Sequence, residues 1–201
     1  MERGEVVGLI NLAIEDGHVP VVHPNGFIQL KLPDNRRMHF WDKSIPRQKT
    51  ASPIHDHVFD MDSEIVAGTL LHCEIRVHSE PDGFYDLYEA VTVEGVETKL
   101  VPLQNRVRAD YGEWQEFHAG DEYMFPAGRF HETSDRLGPA ISIITKGQTF
   151  TTFNPRVLVK HGEKPDNDFE RGSFTLVKLL DTISRITSEL FPKNNVVKGA
   201  K

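Results

Sequence analysis

Cysteine is almost absent from this chain: Cys73 is the only one in 201 residues. That excludes an intrachain disulfide framework and any zinc site built on paired thiolates. It also makes a reducing, cytoplasmic compartment the expected one. Long apolar runs are missing too. No stretch approaches the roughly 20 residues that a membrane-spanning helix needs. The opening Met1-Glu2-Arg3-Gly4-Glu5 sets two acids ahead of any apolar stretch, unlike a secretory signal. Positive charge is in short supply, with 23 Lys and Arg against 30 Asp and Glu and a net charge of -7. Phosphate-driven binding needs a basic footprint, so nucleic acid is not an expected partner, and neither is a membrane. There is no internal repeat and no low-complexity segment. What remains is a chain of ordinary composition, long enough to bury one sizeable core.

Apolar residues at Val6, Leu9, Ile10, Ala13 and Ile14 follow a helical spacing. They predict an N-terminal helix over 2–17, closed by Gly17. The texture then changes to short strands. Phe27–Leu32 is closed by the turn Pro33-Asp34-Asn35, Arg37–Trp41 is a further strand, and Asp42–Ser52 reads as a loop. Ser63–Ala67 ends at Gly68. Over Thr69–His78 the chain alternates cleanly, with Thr69, Leu71, Cys73, Ile75 and Val77 on one face and Leu70, His72, Glu74, Arg76 and His78 on the other. Pro81-Asp82-Gly83 turns it into Phe84–Val93, and 97–103, 114–118, 122–125, 140–146 and 148–153 continue the series. Many short strands separated by turn signals predict an all-β sandwich or barrel, here over roughly 19–160. Lys160–Gly172 reads as a linker. A stripe from Phe174 through Val177, Leu180, Ile183 and Ile186 to Leu190 predicts a C-terminal helix over 173–191 with Ser173 as N-cap. Its simplest role is packing on the barrel; its second is a homodimer contact. Lys193–Lys201 is expected to fray. All of this fits one domain, 1–201.

Two segments carry the chemistry. In Pro53-Ile54-His55-Asp56-His57, imidazoles at i and i+2 of an extended chain project to the same side. Further on, Gly120-Asp121-Glu122-Tyr123-Met124-Phe125-Pro126-Ala127-Gly128-Arg129-Phe130-His131 is an apolar run, a Pro-x-Gly turn and a histidine just beyond it. Brought together by a sheet, His55, His57 and His131 would form a mononuclear metal site.

Together the two segments resemble the motifs of the cupin superfamily. His55, His57, Asp62 and Gly68 answer to its first motif, and Gly120, Pro126, Gly128 and His131 match its second without a change in spacing. The resemblance spans roughly 27–153 and implies a double-stranded β-helix, a jelly-roll barrel, with the metal inside. The acidic position reads two ways. Counted from His57 it is Asp62; counted back from Gly68 it is Met61. A three-histidine site and a three-histidine site with Asp62 therefore both stand. Either suits Fe(II) best, with Mn, Ni, Co or Zn as alternatives.

Among cupins the run Ile54–His57 is most similar to cysteine dioxygenase and its thiol dioxygenase relatives. Their Ser-x-His-x-Tyr array is matched by Ser142, but Ile144 and Lys146 stand at its other positions, and their crosslinking cysteine has no counterpart near Met61. The resemblance implies Gln29, Lys31 and Ser142 as substrate contacts. Arg76 is a further candidate through bidentate pairing with a carboxylate, and Tyr123 as an aromatic that could line a pocket. Against these stand a solvated sheet face for the row His72–His78 and a core role for the aromatics. Asp56 and Glu132, each beside a ligand, are expected to point to solvent. Three functions follow: a non-haem iron dioxygenase of a small polar molecule, a non-redox metal cupin such as an isomerase or lyase, and a cupin that binds a small molecule without chemistry.

Overall fold

A computed structural model describes residues 1–47, 51–93, 97–165 and 174–192. Among these the elements run α1 (Arg3–Glu15), β1 (Val21–His23), β2 (Phe27–Lys31), β3 (Arg36–Trp41), β4 (Ala51–His55), β5 (Phe59–Ser79), β6 (Tyr85–Val93), β7 (Glu97–His118), β8 (Glu122–Phe125), β9 (Phe130–Ser134), β10 (Ala140–Thr149), β11 (Arg156–Lys160) and α2 (Leu176–Leu190). The pairings described are all antiparallel. One sheet has the order β1-β2-β3-β10-β5-β8. In the other, β5 continues to β7, β6, β11, β4 and β9, and β9 pairs β5 again, so that ladder closes on itself. This is an all-β jelly-roll barrel with a helix at each end of the chain.

β5 joins the two sheets, and a single glycine allows it. Ala140 is the register partner of Gly68, and Thr69 already pairs His118 of β7. Gly68 has φ +79, and a Cβ there would lie 2.3 Å from the Pro139 carbonyl oxygen. Only glycine bends the strand at that angle and tolerates that approach. The sequence reads a strand end at Gly68; the structure bends the strand there without ending it. In the same way, 97–103 and 114–118 are parts of the single strand β7. The segment 150–153 is not a strand, while β11 is one that the alternation does not announce. Helix α2 starts later than expected, with Thr175 as N-cap accepting from the Lys178 amide; Ser173 and the 193–201 tail lie outside the described residues. No described helix is long and apolar enough to cross a membrane.

Alternation divides the first sheet cleanly. Ile28, Leu30, Met38, Phe40, Ile141 and Ile143 face outward and pack under Val6 and Ala13 of α1 and Leu179, Ile183 and Ile186 of α2. Their neighbours Gln29, Arg37, His39, Trp41, Ser142 and Ile144 face inward and line a cavity. A second core sits within the closed ring, where Ile54, Cys73, Ile75, Leu87, Val107, Phe130 and Leu158 meet. Burial there pushes the Cys73 thiol up, away from the reactive thiolate. Strands β4 and β9 are shared walls: Ile54 and Phe130 belong to the second core, while His55 and His131 line the cavity.

Candidate metal centre

His55 is the last residue of β4 and pairs directly with His131 of β9. His57 lies two residues beyond the strand end. The three imidazoles each offer one nitrogen to a group whose ligand atoms lie within 4.8 Å of one another. Ring centroids stand 4.5 Å apart for His55–His131, 4.9 Å for His55–His57 and 5.0 Å for His57–His131. Bonds of about 2.1 Å to a shared ion would draw the ligand nitrogens closer together than their present spread of up to 4.8 Å.

The donors are in the right state. Burial pushes the pKa of His55 down, against a raising hydrogen bond to Pro53. Burial, then the neighbouring imidazoles, pushes His57 and His131 well below the ordinary histidine value. All three are therefore neutral at pH 7, with lone pairs free for a cation. His55 Nδ1 lies 2.8 Å from the Pro53 carbonyl oxygen, with the Asn25 amide 3.3 Å from the same nitrogen. Only a protonated Nδ1 can donate to a carbonyl, so Nε2 carries the lone pair. His131 Nδ1 is buried without a hydrogen-bond partner. A buried nitrogen left unsatisfied in this way is costly unless something binds nearby. A divalent metal fits this donor set.

Asp62 is not brought to the centre. It alternates with Met61 and Ser63, which line the cavity, and so projects from the opposite face of β5 into solvent. Met61, the residue reached by counting back from Gly68, takes the inward place. Of the substrate-contact candidates, Gln29, Ser142 and Tyr123 line the cavity. Ser142 accepts a hydrogen bond of 3.1 Å from Trp41 Nε1, and burial pushes the Tyr123 phenol up, keeping it a donor. Lys31 is exposed and lies outside the cavity lining. Arg76 is exposed on the outer groove of β5, beside Glu74 and His78. The row His72–His78 divides: His78 and Glu74 form surface pairs with Asp110 and Arg129, whereas His72 is buried and stacks on His131 with centroids 5.1 Å apart.

Three features escape the sequence reading. Arg37 enters the cavity, where its Nη1 donates to Gln29 Oε1 at 3.1 Å. It has no carboxylate partner among the described residues. Lys146 lies 4.7 Å over the Phe59 ring; burial, then Arg37 and Lys31, pulls its pKa down. Among the described residues no Asp or Glu lines the cavity. His39 is the second feature, buried with Nε2 unpartnered and its pKa held at about 3 by burial, then by Arg37 and His55. The alternation Arg37, His39, Trp41 against Met38 and Phe40 was the available signal. The third is Asp56, which is buried, not solvated: its carboxylate accepts from Arg156 N at 2.5 Å and Nε at 2.7 Å and forms an ion pair with Nη2 at 2.6 Å. Glu132 is half-buried and accepts from the Tyr111 hydroxyl at 3.1 Å. The solvent expectation fails because the second core lies behind the ligand strands, and residues facing away from the cavity face that core.

No family model matches the chain, and no curated protein matches it. Among solved structures, the Drosophila melanogaster CENP-C cupin domain is similar at 10% identity and a TM-score of 0.35, over 64% of this chain and 75% of that one. Hydroquinone 1,2-dioxygenase from Sphingomonas sp. TTNP3 is similar at 10% identity and a TM-score of 0.29, over 58% of this chain and 62% of that one. The hydroquinone 1,2-dioxygenase PnpCD is similar at 12% identity and a TM-score of 0.30, over 59% and 61%.

Proposed function

We propose that the protein is a metal-dependent enzyme, a non-haem Fe(II) dioxygenase whose substrate is a small anion. The observation that carries this reading is the convergence of three neutral imidazoles in a cavity lined by Arg37 and, among the described residues, by no carboxylate. Fe(II) bound there supplies the redox chemistry that lets dioxygen react. The protein's own groups do the rest. Uncharged ligands leave the charge of a divalent ion uncompensated, so an anion is drawn to the site. Arg37, held by Gln29, has further N–H donors free to pair with a carboxylate. Lys146 and Lys31 add positive potential that steers an anion inward. The cavity, about 50 Å³, admits an ion and a few atoms; the body of the substrate stays at the mouth. Tyr123 and Ser142 give it polar contacts on the inner wall.

The test is elemental analysis of anaerobically purified protein beside His57→Ala and His131→Ala. Near-stoichiometric iron in the wild type, lost in both variants while circular dichroism still reports a folded β protein, is the expected result, followed by O2 uptake with small carboxylates. Full metal content in both variants would place the metal elsewhere. Stoichiometric zinc or nickel with no O2 uptake would assign the same centre to non-redox chemistry.

A further inference from the structure

We infer that Asp56 and Arg156 form a positioning clamp that sets the spacing of the three histidines and with it the affinity of the centre for metal. The inference rests on the three-histidine reading above. His55 is held by the β4–β9 ladder, but the ladder ends there, and His57 lies beyond it. Something else must fix His57 against His131.

Asp56, between the two ligands, faces the opposite way and is buried. Its backbone amide donates to the Arg156 carbonyl oxygen at 3.0 Å, while its carboxylate accepts from the Arg156 backbone amide and Nε, with Nη2 in ion-pair contact at 2.6 Å. The same guanidinium reaches the other ligand segment. Arg156 Nη2 donates to the Gly128 carbonyl oxygen at 3.2 Å, and the group lies 4.9 Å over the ring of Phe130, the residue before His131. Gly128 closes the circuit, its amide donating to the His57 carbonyl oxygen at 2.8 Å. One arginine of β11 thus ties the segment 55–57 to the segment 128–131 from behind.

A buried ion pair is a weak source of stability, since apolar replacements are often as stable. A planar guanidinium engaging a carboxylate, a carbonyl and a ring at once is directional, and direction is what a multi-segment ligand set requires. Loss of groups that orient metal ligands typically weakens binding 10- to 100-fold.

The experiment titrates the full-length apo-protein with Co(II) alone and follows its visible absorption. Wild type, Asp56→Asn, Arg156→Lys and, as a control on a distant ion pair, Arg185→Ala are compared after circular dichroism has verified folding. The expected result is one Co(II) per chain in the wild type and the control. The two clamp variants should bind on the order of 10- to 100-fold more weakly, with an altered absorption envelope that destabilisation alone does not produce. Should the variants fail to fold, amide hydrogen exchange on the wild type decides: Co(II) should slow exchange at Asp56, Gly128 and Arg156. Unchanged affinity and spectrum in folded clamp variants overturn the clamp and leave the three-histidine centre standing; so does unchanged exchange at those three amides in metal-bound wild type. Failure of the wild type to bind Co(II) overturns the centre itself, and the clamp with it.

Discussion

His39 shows what a buried titratable side chain does to a protein. It is enclosed, its Nε2 lacks a partner, and its folded pKa of about 3 sits far below the ordinary histidine value of 6.5. The unfolded chain therefore takes up a proton near pH 6.5 that the folded chain refuses. The folded pKa being the lower, the stability at stake is present above the unfolded value and drains away as pH falls from about 6.5 towards 3. A group in this state contributes a slope of about 1.4 kcal/mol per pH unit. His39→Leu should flatten the pH dependence of unfolding between pH 6 and 4 by about that much, and leave stability at pH 7.5 equal or higher because an unsatisfied nitrogen is gone. Urea denaturation at four pH values checks it; an unchanged slope would show that His39 is protonated in the folded state. At this scale the sequence showed the triad, because fixed spacings around His55, His57 and His131 are local. Arg37 and Asp56 were not legible as site residues. The alternation of β3 sets Arg37 on a face with His39 and Trp41 but does not say that this face meets the cavity, and the role of Asp56 depends on β11, a strand distant in sequence that lies behind it.

Among the elements, α2 shows how a helix outside the barrel is held to it. Leu179, Ile183 and Ile186 enter the outer core, and a polar anchor lies beside them. Arg185 Nη2 is 3.1 Å from Asp42 Oδ1, its Nη1 donates to Oδ2 at 3.3 Å, and Ser44 donates its amide to Asp42 at 2.8 Å. Burial raises the Asp42 carboxyl, but the Arg185 and Ser44 bonds outweigh it, and the net shift is downward. A lowered folded pKa gives stability that is present above the unfolded value and lost as pH falls through the folded one. Arg185 is half exposed, so the pair is screened, and Arg185→Ala should cost roughly 1 kcal/mol or less at pH 7. The gap to wild type should narrow as pH falls below the ordinary carboxyl value of 3.8. Urea melts at pH 7 and at a series of pH values below 3.8 follow it, and a gap that does not narrow across the series would mean that Arg185 acts through packing and not through charge. The element reading from sequence was sound where a pattern was strong and local, as in α1, α2 and β2. It broke β5 at Gly68 because glycine marks both a strand end and a bend, and only the partner strands tell them apart.

The whole molecule is dominated by pairings between distant parts of the chain. β3 pairs β10, β5 pairs both β7 and β10, and the two ligand segments meet through the His55–His131 pair and the hydrogen bond from Gly128 to His57. Such a topology folds slowly, since loop-closure entropy is spent before the contacts that repay it form. The ligand set should not exist before the barrel closes. Added Co(II) should then leave the refolding rate of the urea-unfolded chain unchanged within about twofold while slowing unfolding tenfold or more at saturation, the pattern of an interaction absent from the transition state. Stopped-flow measurements with and without the metal check it; faster refolding with metal would show that the histidines assemble early.

That order of events bears on which metal the protein ends up holding. Three imidazoles with no acidic ligand beside them among the described residues would discriminate poorly among Fe(II), Ni(II), Co(II) and Zn(II), and on the expected folding order the chain would offer no binding site while it is still being made. The ion is then chosen by supply, at the place and moment where folding finishes. The same polypeptide expressed in two hosts with different metal stocks is two different holoproteins.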